Sequence, residues 1–162
     1  MCKIRLLILL LTSTAIFSCS SSQNFSSNGY QYKVAYIESE YSGLLLSNML
    51  TSYLKNNNSY STNSNIIISG SINHSGEVYI TNTDNTSDRE KVTSTLKLTV
   101  YDNKTDCLID NYEDSVDQFY IYAPATKILS NKNAKIKIER SNTEVLAKRF
   151  INILLKLTPE CK

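Results

Sequence analysis

Chemistry in this chain is concentrated in one thiol. Cys19 closes the stretch Ile16-Phe17-Ser18-Cys19 and stands directly before Ser20-Ser21-Ser22-Gln23. Ahead of it lie Lys3 and Arg5, then an apolar run from Leu6 to Leu11 that continues less purely to Phe17. That is the layout of a bacterial secretory signal peptide, and its last four residues resemble a lipobox. There the cysteine thiol is alkylated with diacylglycerol and a peptidase then cuts in front of it. A small residue at Ser18 lets the site enter the protease. The alternatives are an ordinary signal peptide with a chance cysteine, or an uncleaved anchor. About a dozen apolar residues would span only ~18 Å as a helix, too short for a ~30 Å bilayer core. Residues 1–18 are therefore expected to be removed. Residues 19–29 form a lipidated cysteine and a polar tether, and 30–162 form one domain.

The other chemistry-bearing residues do not assemble into a reaction. His74 is the only histidine, in a Gly- and Ser-containing stretch that reads as a strand bend, with no ligand-spaced Cys, Asp or Glu beside it. No Gly-rich loop opens a helix, and no Gly-x-Ser-x-Gly elbow is present. Asp110, Asp114 and their neighbours read as an exposed alternation. The expectation is a protein without catalytic residues, metal or cofactor.

Charge narrows the partners. Losing Lys3 and Arg5 from 17 basic residues leaves as many bases as the 15 acids, so there is no cationic field for nucleic acid. The distribution is polarised. Asp102, Asp106, Asp110, Glu113, Asp114 and Asp117 face a single base, Lys104, between Tyr101 and Tyr120. Nine bases oppose Glu139, Glu144 and Glu160 from Lys127 onward. Such a surface suits charged partners on two sides; a solvated strand edge and helix face would read the same way. After cleavage, Cys107 and Cys161 remain in an oxidising compartment. They are able to pair, but their separation in sequence says nothing about geometry.

These residues need elements to hold them. Gln31 to Ile37 alternates, with Tyr32, Val34 and Tyr36 on one face, as a strand does. Leu46, Met49, Leu50, Tyr53 and Leu54 recur at helical spacing; Ser39 or Ser42 would cap that helix and Lys55 to Ser59 would stop it. A β-branched run begins at Ile66, passes Gly70 and Gly76, where a bulge or turn is expected, and resumes at Val78. A polar loop, Asn82 to Arg89, precedes the clearest strand, with Val92, Leu96, Leu98 and Val100 inward. Asp102-Asn103-Lys104 turns the chain into a strand spanning Thr105 to Tyr122. Leu146, Phe150, Ile153, Leu154 and Leu157 mark a last helix, ended by Pro159. The expected fold is an α+β two-layer sandwich: a four-to-five-stranded, mostly antiparallel sheet with two helices on one face.

A lipobox, a tether, a strand, a helix, a meander and a long last helix resemble the plan of the lipopolysaccharide-assembly lipoprotein LptE. Thr95 to Asp102 followed by Thr105 to Leu108 is similar to that family's strand–turn–strand. Asp117 to Tyr120 and the helix ending Leu146 to Leu157 are similar to its closing segment. Between Ser130 and Asn142 the family's alanines give way to Lys, Ile and Asn, which leaves the helix start open. The resemblance implies a lipid-anchored outer-membrane protein on the periplasmic side. Its partners would be an LptD-like outer-membrane β-barrel, which it plugs, and lipopolysaccharide, with the membrane held through the acyl chains on Cys19. Lipid A phosphates would need bases near a loop or strand end; Arg89 and Lys91 are the candidates, then Lys127 and Lys132. Competing readings are an accessory lipoprotein of a transport ATPase or a cell-wall synthase activator, and a surface lipoprotein that binds host or small-molecule ligands.

Cys19→Ala should block lipid attachment and cleavage, leaving a heavier precursor. Metabolic labelling with palmitate checks this: label still entering the variant would remove the lipobox.

Overall fold

A computed structural model describes residues 29–80, 87–121 and 128–161. Its elements are β1 (Lys33–Glu38), α1 (Tyr41–Asn56), β2 (Ile66–Ile80), β3 (Ser87–Asp102), β4 (Cys107–Ile121) and α2 (Ile128–Leu154). The strands form one sheet in the order β1-β2-β3-β4. β1 runs parallel to β2 across the α1 connection, and the other neighbours are antiparallel. This is the expected α+β sandwich, with four strands and both helices contributing to one core.

Period-two alternation on β3 produces that core. Val92, Leu96, Leu98 and Val100 are all buried, while Thr93, Thr95, Lys97 and Thr99 face away. Ile68 and Ile72 lie opposite Val100 and Leu96. Leu46, Leu50 and Leu54 of α1 and Leu146, Phe150 and Leu154 of α2 close over them. Phe150 also packs its ring on Tyr112 of β4, centroids 5.2 Å apart. Burying one such side chain is worth roughly 1.5–3 kcal/mol.

The structure corrects several expectations. Tyr36 is 78% exposed and Ile37 is buried instead, because a register irregularity between Val34 and Ile37 flips the alternation. Neither Ser39 nor Ser42 caps α1: Glu40 holds the cap position and makes no side-chain bond there. The helix does stop in the asparagine run. Asn58 takes a left-handed φ of 55°, and the Ser59 amide turns back to the Leu54 carbonyl at 2.9 Å.

Gly70 and Gly76 do not interrupt β2, which is a single strand. Gly70 has φ 149°, and a Cβ there would strike the Lys97 carbonyl of the neighbouring strand, so only glycine keeps the pairing close. Ser87 to Arg89 belong to β3 and not to the loop before it. The last helix begins at Ile128 and ends at Leu154, ahead of Pro159, its final turn tightening through Leu157 N–H to Leu154 O at 3.1 Å. Ile153 is 47% exposed; Leu155 is buried in its place.

Cys107 and Cys161 are joined, with Cα atoms 5.7 Å apart. The bond ties the end of the chain to the start of β4 across 54 residues. Closing such a loop in the unfolded chain is worth about 4 kcal/mol on the chain-entropy account.

Leu98 and Leu154 are at most 2% exposed, in one cluster, on sheet and last helix. Replacing either by alanine should cost ~2–5 kcal/mol, read as a fall in denaturant midpoint. An unchanged midpoint for Leu98→Ala would show that its inward face is not part of the core.

Candidate functional site at the far end of the sheet

Beyond the row formed by Ile72 and Leu96, the helix-facing side of the sheet changes character. Successive rows read His74–Ser94–Val116, then Gly76–Val92–Gln118, then Val78–Glu90–Tyr120. The first half of α2 lies over these rows and meets them through polar groups. Asn142 Nδ2 lies 2.9 Å from Ser94 Oγ and 3.3 Å from the carbonyls of Val92 and Val116. Gln118 Nε2 donates to Ser141 Oγ at 3.3 Å. Lys135 Nζ reaches Glu90 Oε1 at 3.2 Å, and the Tyr120 hydroxyl donates to the other carboxylate oxygen.

Glu90 is only 7% exposed. Gly76 makes room for it, since a Cβ there would meet the Glu90 carboxylate and the Lys135 ammonium. A buried carboxylate is tolerable when paired and hydrogen-bonded, and this one has both. His74 Nδ1 is 2.7 Å from Ser94 Oγ. His74 Nε2 and Asn142 Oδ1 are buried without a partner among the described residues. Burial pushes the His74 pKa below its ordinary value of 6.5; Glu139 opposes this and Lys135 assists it.

Sequence reasoning missed Glu90 and Asn142. The signal was present: Glu90 is two residues before Val92 on the inward face of β3, and Asn142 is one turn before Leu146 on the buried side of α2. A polar residue at an inward position is the informative one.

Arg89 and Lys91 lie on the opposite, helix-free face of β3, two residues apart, with Ile121 and Phe119 beside them on β4. Arg89 is exposed, and Lys91 is 3.6 Å from Asp117. Lys132 is exposed on α2 and lines a different surface, so the structure does not gather it with the other two. Cys19 and Lys127 lie outside the described residues. The acidic face also divides. Glu113 points outward and pairs with Lys97 at 3.0 Å, whereas Asp114 points to the helix layer, 3.1 Å from Arg149. Burial works against the ionised Asp114, but Arg149, the Tyr112 hydroxyl and the Ser115 amide together hold its pKa below the usual range. Tyr112 is pushed up to about 12 by burial and then by its bond to Asp114.

Large apolar side chains rim this end of the molecule: Val78, Phe119, Ile121 and Leu129 are each more than half exposed. They occupy three different surfaces, so they form an edge and not a pocket. On the flank of α2, a groove of about 810 Å³ separates Lys132, Ile136, Glu139 and Arg140 from Ser39 to Ser42 and Leu45 at the start of α1. Among the described residues no group of His, Cys, Asp and Glu has the makings of a metal site.

No protein-family profile matches the chain, and no curated protein does. Solved structures do. Rare lipoprotein B from Shewanella oneidensis aligns with a TM-score of 0.62 at 11% identity, over 78% of this chain and 94% of that one. A minor lipoprotein from Acinetobacter baumannii aligns at 0.60 and 14% identity, over 82% and 98%. A lipoprotein from Caulobacter crescentus aligns at 0.55 and 14%, over 83% and 91%. The chain has the fold of these bacterial lipoproteins. At such identities the likeness is one of fold.

His74 gives that fold a pH dependence. Above pH 6.5 both folded and unfolded forms hold it neutral. As pH falls below 6.5 the unfolded chain binds a proton that the folded chain resists, so stability declines until pH passes the lowered folded value. Urea midpoints at about pH 7 and about pH 5.5 should therefore differ more for the wild type than for His74→Asn. Equal differences would mean that His74 titrates alike in both states.

Proposed function

We propose that this chain is a lipid-anchored outer-membrane protein that assists lipopolysaccharide assembly by seating in an LptD-like β-barrel, and that it works as a binding partner and not as an enzyme. The observation that carries this reading is the shared fold with solved bacterial lipoproteins, rare lipoprotein B among them, over 78–83% of this chain. The signal-peptide and lipobox pattern ending at Cys19 and the sequence resemblance to LptE support it.

The physical demands fit. The outer face of the sheet has no helix over it among the described residues and presents Thr93, Thr95, Thr99, Lys97 and Glu113, a hydroxyl-rich surface with paired charges. Such a face suits the polar interior of a barrel. A triacylated Cys19 would hold the protein in its leaflet, because each buried methylene adds about 0.8 kcal/mol. At the far end, Arg89 and Lys91 lie among Phe119 and Ile121. Cations beside exposed apolar groups suit a lipid carrying phosphates. The 3.6 Å contact between half-buried Lys91 and exposed Asp117 is loose, so a phosphate bearing more charge would compete for the ammonium.

Affinity purification of the tagged, acylated chain from its own bacterium should bring down an outer-membrane β-barrel. Recovery of a transport ATPase or a cell-wall synthase instead would overturn the reading. The double variant Arg89→Glu, Lys91→Glu should bind lipopolysaccharide more weakly, most clearly at low salt where screening is least. Its fold should survive, since Arg89 is exposed, Lys91 lies on the helix-free face outside the core, and a loose surface pair contributes about 0–1 kcal/mol. Equal affinities at low ionic strength would remove these residues from the site. Loss of the barrel with lipopolysaccharide binding retained would assign them to the protein interface.

A further inference from the structure

α2 is a single helix in its backbone but is held in two different ways. From Leu146 to Leu154 it is seated by burial, with Leu146, Phe150 and Leu154 inside the continuous core. From Ile128 to Asn142 it meets the sheet through polar groups, among them Lys135 to Glu90, Ser141 to Gln118 and Asn142 to Ser94 with two carbonyls. Val92, fully buried next to the Asn142 amide, lies outside that continuous core. The flank of this half facing α1 is no better held, because the 810 Å³ groove lies there in place of packed side chains. Exchanging a protein hydrogen bond for one to water costs less than baring a core leucine.

We propose that the first half of α2, up to Asn142, is a flap that opens from the sheet while the half from Leu146 onward stays seated, and that proton uptake by His74 favours the open state. His74 lies beneath the flap with Nδ1 on Ser94 and Nε2 buried without an acceptor among the described residues. An imidazolium would carry an N–H on both nitrogens, and the closed seam offers the second one nothing. Of the groups facing it, Lys135 of α2 repels the added charge and Glu139 of α2 attracts it. β3 presents Ser94, which does not titrate, and Glu90, which is already engaged by Lys135 and Tyr120. Once the flap lifts, water solvates both nitrogens. Opening also bares Val92 and joins the groove to the inner face of the sheet. This inference stands whether or not the chain handles lipopolysaccharide.

Hydrogen–deuterium exchange on the full chain in detergent micelles tests it, at about pH 7.5 and about pH 5.5, with rates corrected for the intrinsic pH dependence of exchange. Amides from Ile136 to Ser141, well inside the helix, should exchange about tenfold or more faster than those from Leu146 to Leu154. The gap should widen at the lower pH in the wild type and stay constant in His74→Asn. A helix that exchanges at one rate throughout overturns the flap. A gap that is the same at both pH values, or that widens equally in His74→Asn, overturns the proton link. Should His74→Asn fail to fold, Glu90→Gln serves: it must speed exchange in the first half alone, and equal acceleration of both halves overturns the proposal.

Discussion

Covering long strands with short helices is the constraint from which the rest of this structure follows. β2, β3 and β4 have 15, 16 and 15 residues, about 50 Å each at ~3.3 Å per residue. α2, with 27 residues, is about 40 Å long and α1, with 16, about 24 Å. Only near the disulfide-bonded end do both helices overlie the sheet, and only there is a continuous apolar core built. Past the row of Ile72 and Leu96, α1 has run out and α2 covers the sheet alone. One helix cannot dry a twisted sheet several strands wide, and the residues change accordingly from Leu and Ile to Ser94, His74, Glu90, Gln118 and Asn142.

That polar layer is neither an extension of the core nor ordinary surface. Its groups are buried enough that an unmet hydrogen bond costs about 1–3 kcal/mol, and nearly all of them are met. Asn142 is the pivot. Its two N–H donors are shared among two strand carbonyls and the Ser94 hydroxyl, which fixes how far α2 sits from the sheet. Glu90 performs the same task further out, joining β4 through Tyr120 and α2 through Lys135. Such a layer specifies geometry more than it adds stability. The apolar half and the Cys107–Cys161 bond supply the stability, and they lie at the other end.

Among the described residues, the border strands carry features that work against pairing with a second sheet. β1, a border strand, is short and irregular. β4 at the other border is long but carries Glu113 and Asp117, each paired with a lysine of β3. Charges along a border strand discourage pairing with a second sheet. Within the sheet these cross-strand pairs also set the register of β3 against β4.

Several features were determined by residue order alone. Alternation on β3 named its inward face correctly at Val92, Leu96, Leu98 and Val100. Helical spacing located the first helix and the second half of the last, and the asparagine run ended the first. These signals are local: a strand turns its side chains over every residue and a helix every 3.6, whatever they pack against. What only the tertiary structure decided is where partners meet. A bulge made against β2 exchanged Tyr36 for Ile37 on the inward face. Close approach of Lys97 turned Gly70 from an apparent break into a necessity of unbroken pairing. Cys107 found Cys161, Asp114 parted from Glu113, and Glu90 became a buried carboxylate. None of these is written in spacing, because each depends on the distance between chain segments far apart in sequence. That distance is set only when the long strands and the shorter helices have come to rest on one another.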